Sequence, residues 1–202
     1  MNELLRHPFP ASPLPATTQV ADGFPRRAWT ADEVRRMVEA GIIDDREPFE
    51  LIGGELVAKM NKGIQHEALK QSLMLHWGKI IPDHIKFALE SPLRLGLYDE
   101  PEPDFFVHSA TISLAEVKGP SVLLVVEIAD SSLHKDRTLK ALRYAAQGVR
   151  DYWIVNARAR STTILRDPTE SGFSQQIADV PASERLIPLH APEMALRFAE
   201  LP

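Results

Sequence analysis

Two acidic residues and one lysine carry most of the chemistry open to this sequence. Asp104 follows the run YDEPEP and opens the apolar run Phe105–Val107. Pro101 and Pro103 hold the residues before them extended, so Asp104 stands at the mouth of a strand. Glu127 is the only acidic residue in the apolar run Val122–Ala129 and lies near its carboxyl end. Lys140 falls on the helix predicted next. Two hard oxygen donors and no soft ones suit Mg²⁺ or Mn²⁺ rather than zinc. A lysine beside two such carboxylates can orient a water and neutralise charge building on a phosphate. Those parts are the minimum for metal-dependent phosphodiester hydrolysis. Each residue also has a plainer reading. Asp104 could be a strand-start turn residue, and Lys140 could belong to an exposed salt-bridged helix face.

The elements that must position these groups form a strand–helix–strand unit. Alternation along the strand Val122–Ala129 puts Leu123, Val125, Glu127 and Ala129 on one face. A carboxylate there needs a metal or a basic partner, because burying an unpaired charge is costly. The carboxyl ends of strands are also where open α/β sheets place their chemistry. The helix is predicted over Asp136–Gln147, with Leu139, Leu142 and Ala146 as its apolar face. Asp136, Lys140, Arg143 and Gln147 share the opposite flank. Tyr152–Val155 is the second strand.

Upstream, Thr30-Ala31-Asp32-Glu33 is a capping box, and the helix it opens ends at Gly41. In PFELIGGELVAKM, Gly53-Gly54 predicts a tight hairpin. Its Glu50 reads either as a solvent-facing strand residue or as the edge of an acidic site. Lys62–Ile81 predicts a helix with a core stripe of Leu69, Leu73, Trp77 and Ile80. His66 is placed off that stripe, as a surface residue or one near the site. Ile85–Leu89 and Leu93–Leu97 read as short β segments, and residues 109–120 as a polar connection. Thr162–Arg166 and Phe173–Val180 predict antiparallel strands. A short piece at Leu186–Leu189 and a last helical turn or two within Glu193–Leu201 follow.

The chain has 202 residues and is 44% hydrophobic, enough for one domain with a real core. Residues 1–27 carry Pro8, Pro10, Pro13, Pro15 and Pro25, which favour a flexible proline-rich arm. Residues 28–202 are expected to form a single domain. The absence of cysteine excludes disulfides, zinc–thiolate sites and thiol nucleophiles. No apolar run is long enough for a membrane span and no signal peptide is visible, so a soluble cytoplasmic protein is expected. The net charge of -5 argues against a dedicated nucleic-acid binder but allows an enzyme with a local basic groove. The basic clusters are Arg26-Arg27 and Arg158–Arg160.

Five blocks in order resemble one known family: FELIGGELV, His66 opening a helix, PEPDFFV, LLVVEIADSS, and DRTLKALRYAAQGVRDYWIVN. The sequence is similar to the Uma-type restriction endonucleases of the PD-(D/E)xK nuclease superfamily, over roughly residues 28–200. The resemblance implies an α/β (α+β) fold, restriction-endonuclease-like, with a mixed central β-sheet flanked by helices. It implies Asp104 and Glu127 as ligands of Mg²⁺ or Mn²⁺, and DNA as the substrate. The superfamily pattern asks for a lysine two residues after the second acid, and Ala129 stands there. In this family the lysine matches Lys140 on the next helix. Glu50 matches the first acidic position, and His66 and Asp136 match recurrent positions without assigned roles. A homodimer is expected, since cutting both strands of a duplex commonly uses a two-fold pair. A Lys140→Ala change is expected to abolish nicking and leave the fold intact. The acidic balance keeps an alternative open: a catalytically inactive nuclease-fold module acting in binding or assembly.

Overall fold

The computed structural model describes residues 27–59, 62–129 and 136–201, and of Asp136 only the backbone. The proline-rich arm therefore lies outside the described residues up to position 26. Among the described residues, eight strands fall into a two-stranded hairpin and a six-stranded mixed sheet. The hairpin joins β1 (Phe49–Ile52) to β2 (Glu55–Ala58). The large sheet runs in the order β3 (Ile85–Leu89), β4 (Phe105–Ser109), β5 (Val122–Ala129), β6 (Asp151–Asn156), β7 (Ser161–Thr169) and β8 (Gly172–Pro181). Every neighbouring pair in it is antiparallel except β5 and β6. A parallel pair needs a crossover, and the helical segment between the two strands supplies it.

One face of the sheet is covered by α2 (Ile64–Ile80) and by the C-terminal segment. Leu69, Leu73 and Trp77 pack there with Phe105, Val126, Met194 and Phe198. The Trp77 indole N–H donates to the Met194 carbonyl at 3.0 Å, tying the C-terminal segment to α2. Ile80, expected in the stripe, is 38% exposed: it is the last residue of α2, and the buried stripe ends one turn earlier at Trp77. The other face is covered by a π-turn, Asp136–Lys140, running into α3 (Ala141–Ala146). Ala141 and Tyr144 pack there with Leu93, Leu95, Val125, Ala129 and Tyr152.

Three expectations change. Leu93–Leu97 is buried at Leu93 and Leu95 but forms no strand. Its amides bond within the 93–101 loop instead, from Leu93 to the Pro101 carbonyl and from Leu95 to the Asp99 carbonyl. Leu123 leaves its alternation, because a register shift pairs Val107 with Leu124 and His108 with Val122. The bulge turns Leu123 to the α2 side of the sheet. The crossover helix buries Lys140, Ala141, Arg143, Tyr144 and Ala145, not the face of Leu139, Leu142 and Ala146.

The hairpin is docked by backbone and side-chain bonds to one loop. Gly53 and Gly54 take φ values of 60° and 83°, the left-handed turn that only glycine adopts without strain. Gly53 N–H donates to Asp99 Oδ1 at 2.7 Å, and Gly54 N–H to the Tyr98 carbonyl at 2.8 Å. Asp99 is fully buried and also accepts from Arg143, Nε to Oδ1 at 2.8 Å and a second bond to Oδ2. One carboxylate thus fixes the hairpin against the crossover helix. α1 (Ala31–Glu39), opened by the capping box at Thr30 and Glu33, closes over the hairpin through Ala31, Val34 and Leu51. Asp99→Ala leaves the Arg143 guanidinium buried without its partner, an error that typically costs about 3–5 kcal/mol. Urea unfolding should show a loss of that order, and a loss under about 1 kcal/mol would mean that Asp99 does not hold the two elements together.

Candidate active site

Four elements converge at one end of β5. The hairpin carries Glu50, the mouth of β4 carries Asp104, β5 carries Glu127, and the π-turn before α3 carries Lys140. All four side chains are buried, with no more than 5% of any residue exposed. Lys140 Nζ donates to Glu127 Oε1 at 2.8 Å and lies 2.9 Å from Glu50 Oε1. Glu50 Oε1 also accepts the Glu102 N–H at 2.9 Å. Tyr144, one helical turn after Lys140, donates its hydroxyl to Glu127 Oε1 at 2.9 Å. Burial, and then the charge of Glu127, push the Tyr144 hydroxyl well above the usual tyrosine range, so it remains a donor.

Asp104 is held separately. Its Oδ2 accepts the Ile128 N–H at 2.7 Å and faces His66 Nε2 at 3.1 Å, while Oδ1 accepts from Lys62 Nζ at 2.8 Å. Lys62 also bonds Glu90, which accepts from Lys70 at 2.9 Å. Burial works to raise the Asp104 pKa, but the hydrogen bond and charge of His66 and the charge of Lys62 outweigh it and hold it at about 2. Phe105 pairs with Val126 across β4 and β5. Asp104 immediately precedes that ladder, and its bond from the Ile128 N–H ties it to the residue after Glu127.

The placement of His66 corrects the surface reading. It is 4% exposed and sits on the same face as Leu69, Leu73 and Trp77, three residues before the first of them. The spacing 66, 69, 73, 77 continues the apolar stripe, and the polarity of histidine hid this. Glu50 likewise faces inward, not to solvent. The Asp136 side chain lies outside the described residues, so its proposed supporting place is not defined. The sequence reading passed over Lys62 and Tyr144. Tyr144 was legible as the residue four after Lys140, the spacing that stacks two side chains on one helix face. Lys62 had no such signal, because its contact with Asp104 joins distant parts of the chain.

The model of the Uma2 family, described as "Putative restriction endonuclease", matches residues 31–199. The chain belongs to that family. A crystal structure of a putative nuclease belonging to DUF820, from Anabaena variabilis ATCC 29413, shares the fold with a TM-score of 0.67 at 17% identity. The match covers 85% of this chain and 96% of that one. No curated protein matches the sequence. Family and fold together support a nuclease of restriction-endonuclease type, a class that works with divalent metal ions.

In this Uma2 chain the donors at hand are carboxylate oxygens, the ligands Mg²⁺ and Mn²⁺ prefer. Among the described residues no three Asp, Glu or His side chains form a ready metal cluster. Asp104 and Glu127 are the two carboxylates at this end of β5, each held by its own partners: Asp104 by the Ile128 amide, Glu127 by Lys140 and Tyr144. Because the folded pKa of Asp104 lies below its ordinary 3.8, its ionised form stabilises the fold above that ordinary value. This contribution is lost as pH falls through about 2. An NMR titration should find the Asp104 carboxyl still ionised at about pH 3, where ordinary carboxylates are largely protonated. A midpoint near the ordinary value would mean that His66 and Lys62 do not engage it.

Proposed function

We propose that this chain is a divalent-metal-dependent DNA endonuclease whose centre is Asp104, Glu127 and Lys140, with Glu50 supporting Lys140. The observation that carries the reading is the reach of Lys140. The superfamily's lysine position holds Ala129, yet a lysine from the crossover helix arrives 2.8 Å from the Glu127 carboxylate. A Mg²⁺ or Mn²⁺ ion bound by Asp104 and Glu127 would polarise a phosphodiester oxygen and make a bound water a better nucleophile. The chain's own groups keep that pair ready. His66, Lys62 and the Ile128 amide hold Asp104 ionised, and Lys140 and Tyr144 fix the orientation of Glu127. The Lys140 ammonium offsets part of the negative charge of Glu50 and Glu127, and it can turn a donor toward a phosphate oxygen as charge grows there. Expected products carry a 5′-phosphate and a 3′-hydroxyl. Two copies would supply one centre to each strand of a duplex.

A second reading has one observation in its favour. Each site carboxylate already has an internal cationic or hydrogen-bonding partner, which also suits a catalytically inactive binding module. Cleavage decides between the two. The full chain should nick single-stranded, duplex or branched DNA with Mg²⁺ or Mn²⁺. Asp104→Asn and Glu127→Gln, which remove charge but keep shape, should lower the rate by about 100-fold or more. Lys140→Ala is a poorer probe than the sequence suggested. It leaves Glu50 and Glu127 buried without their shared cation, a defect of about 3–5 kcal/mol. DNA binding by the wild type without cleavage of any of the three substrates would favour the module.

A further inference from the structure

The arginines of the Arg158–Arg160 cluster are not used by the site described above. They stand on the turn between β6 and β7, which begins at Ala157. The Ala157 N–H donates to the Ala129 carbonyl at 2.9 Å, so the turn is fixed to the end of β5 two residues beyond Glu127. Asn156 Oδ1 accepts the amides of Arg158 at 3.1 Å and Ala159 at 2.9 Å, which makes the turn rigid. Arg160 has φ of 50°, a conformation costly for any residue but glycine and most easily tolerated by asparagine.

Across from this turn is the start of α2. Between them runs a cleft in two sections that share Gln65 and Arg158. One, of about 460 Å³, is lined by Gly63, Ile64, Gln65 and Arg158. The other, of about 330 Å³, adds Ser72 and Arg160. Lys62 immediately precedes the first lining residue and reaches Asp104, with its side chain 32% exposed. Lys140, by contrast, is buried behind its carboxylates at 6%. Lys62 is thus the lysine that an incoming anion meets first. Here three acids, Glu67, Glu90 and Asp104, share two lysines, Lys62 and Lys70, so the cleft's net positive charge comes from its arginines. Ile64, 84% exposed at the cleft edge, offers an apolar surface to a sugar or base.

We infer that this cleft is the path of the substrate's phosphodiester backbone, gripped by Arg158 and Arg160 and led to Asp104 by Lys62. The inference rests on the nuclease reading and adds where the strand lies. Guanidinium groups bind phosphate oxygens in a two-pronged geometry, which suits an open groove that must hold a chain rather than enclose a small molecule. The arrangement also explains how a chain of net charge -5 can engage a polyanion: the positive charge is local and faces the site.

Binding of a labelled duplex and of its single strand to the full chain, in EDTA to prevent cleavage, tests this by fluorescence anisotropy between about 50 and 200 mM NaCl. The Arg158→Ala/Arg160→Ala variant should bind about 10-fold or more weakly near the lower salt. Its salt slope should fall by about 2 on duplex and slightly less on single strand, two phosphate contacts being lost. An Arg35→Ala/Arg46→Ala variant, altered at exposed arginines of α1 and the turn after it, should bind like the wild type. An unchanged slope in the cleft variant, or an equal loss in the control, would overturn the inference while leaving the nuclease reading in place. If the wild type bound neither DNA, the inference would fall, and cleavage with Mg²⁺ or Mn²⁺ would decide the nuclease reading by itself.

Discussion

The structure depends on one ammonium shared by two buried carboxylates. Lys140 reaches both Glu127 on the large sheet and Glu50 on the hairpin. Without it, two negative charges would face each other in a dry interior, and neither element could approach the other closely. Buried ion groups of this kind are rarely the most stable way to fill a core. Well-packed apolar residues would fill the same space at similar or lower free energy. Their presence here is better explained by the chemistry they can do.

A second ionic tie lies further along the same helix. Asp99 holds Arg143 and the Gly53 amide, so the hairpin is fixed at its turn as well as at Glu50. Lys140 and Arg143 both point inward, and between them they set the hairpin's position relative to β5. Leu139 and Leu142 stay half-buried at its flank. The crossover helix thus turns an ionic face inward where the pattern predicts an apolar one.

Much of the frame was legible from periodicity and turn chemistry. The capping box at Thr30, the Gly53-Gly54 turn, the strand Val122–Ala129 and the stripe through Leu69, Leu73 and Trp77 are local signals, and the structure contains each of them. The errors over polar residues share one cause. Hydrophobic patterning assigns polar residues to the outside, so His66, Glu50, Lys140 and Arg143 read as surface groups wherever pattern alone decided. Each is buried because another polar residue far along the chain meets it: Asp104, Lys140, Glu127 and Asp99 respectively. Lys62 was missed for the same reason.

Ala129 has a consequence of its own. It is 1% exposed and packs beneath the crossover helix among Ala141, Tyr144 and Ile154. A lysine there would have no route to water and would force the helix away from the sheet. A lysine on the strand at position 129 is therefore closed to this chain by packing: the small residue is covered, and an ammonium beside Glu127 has to come from the helix.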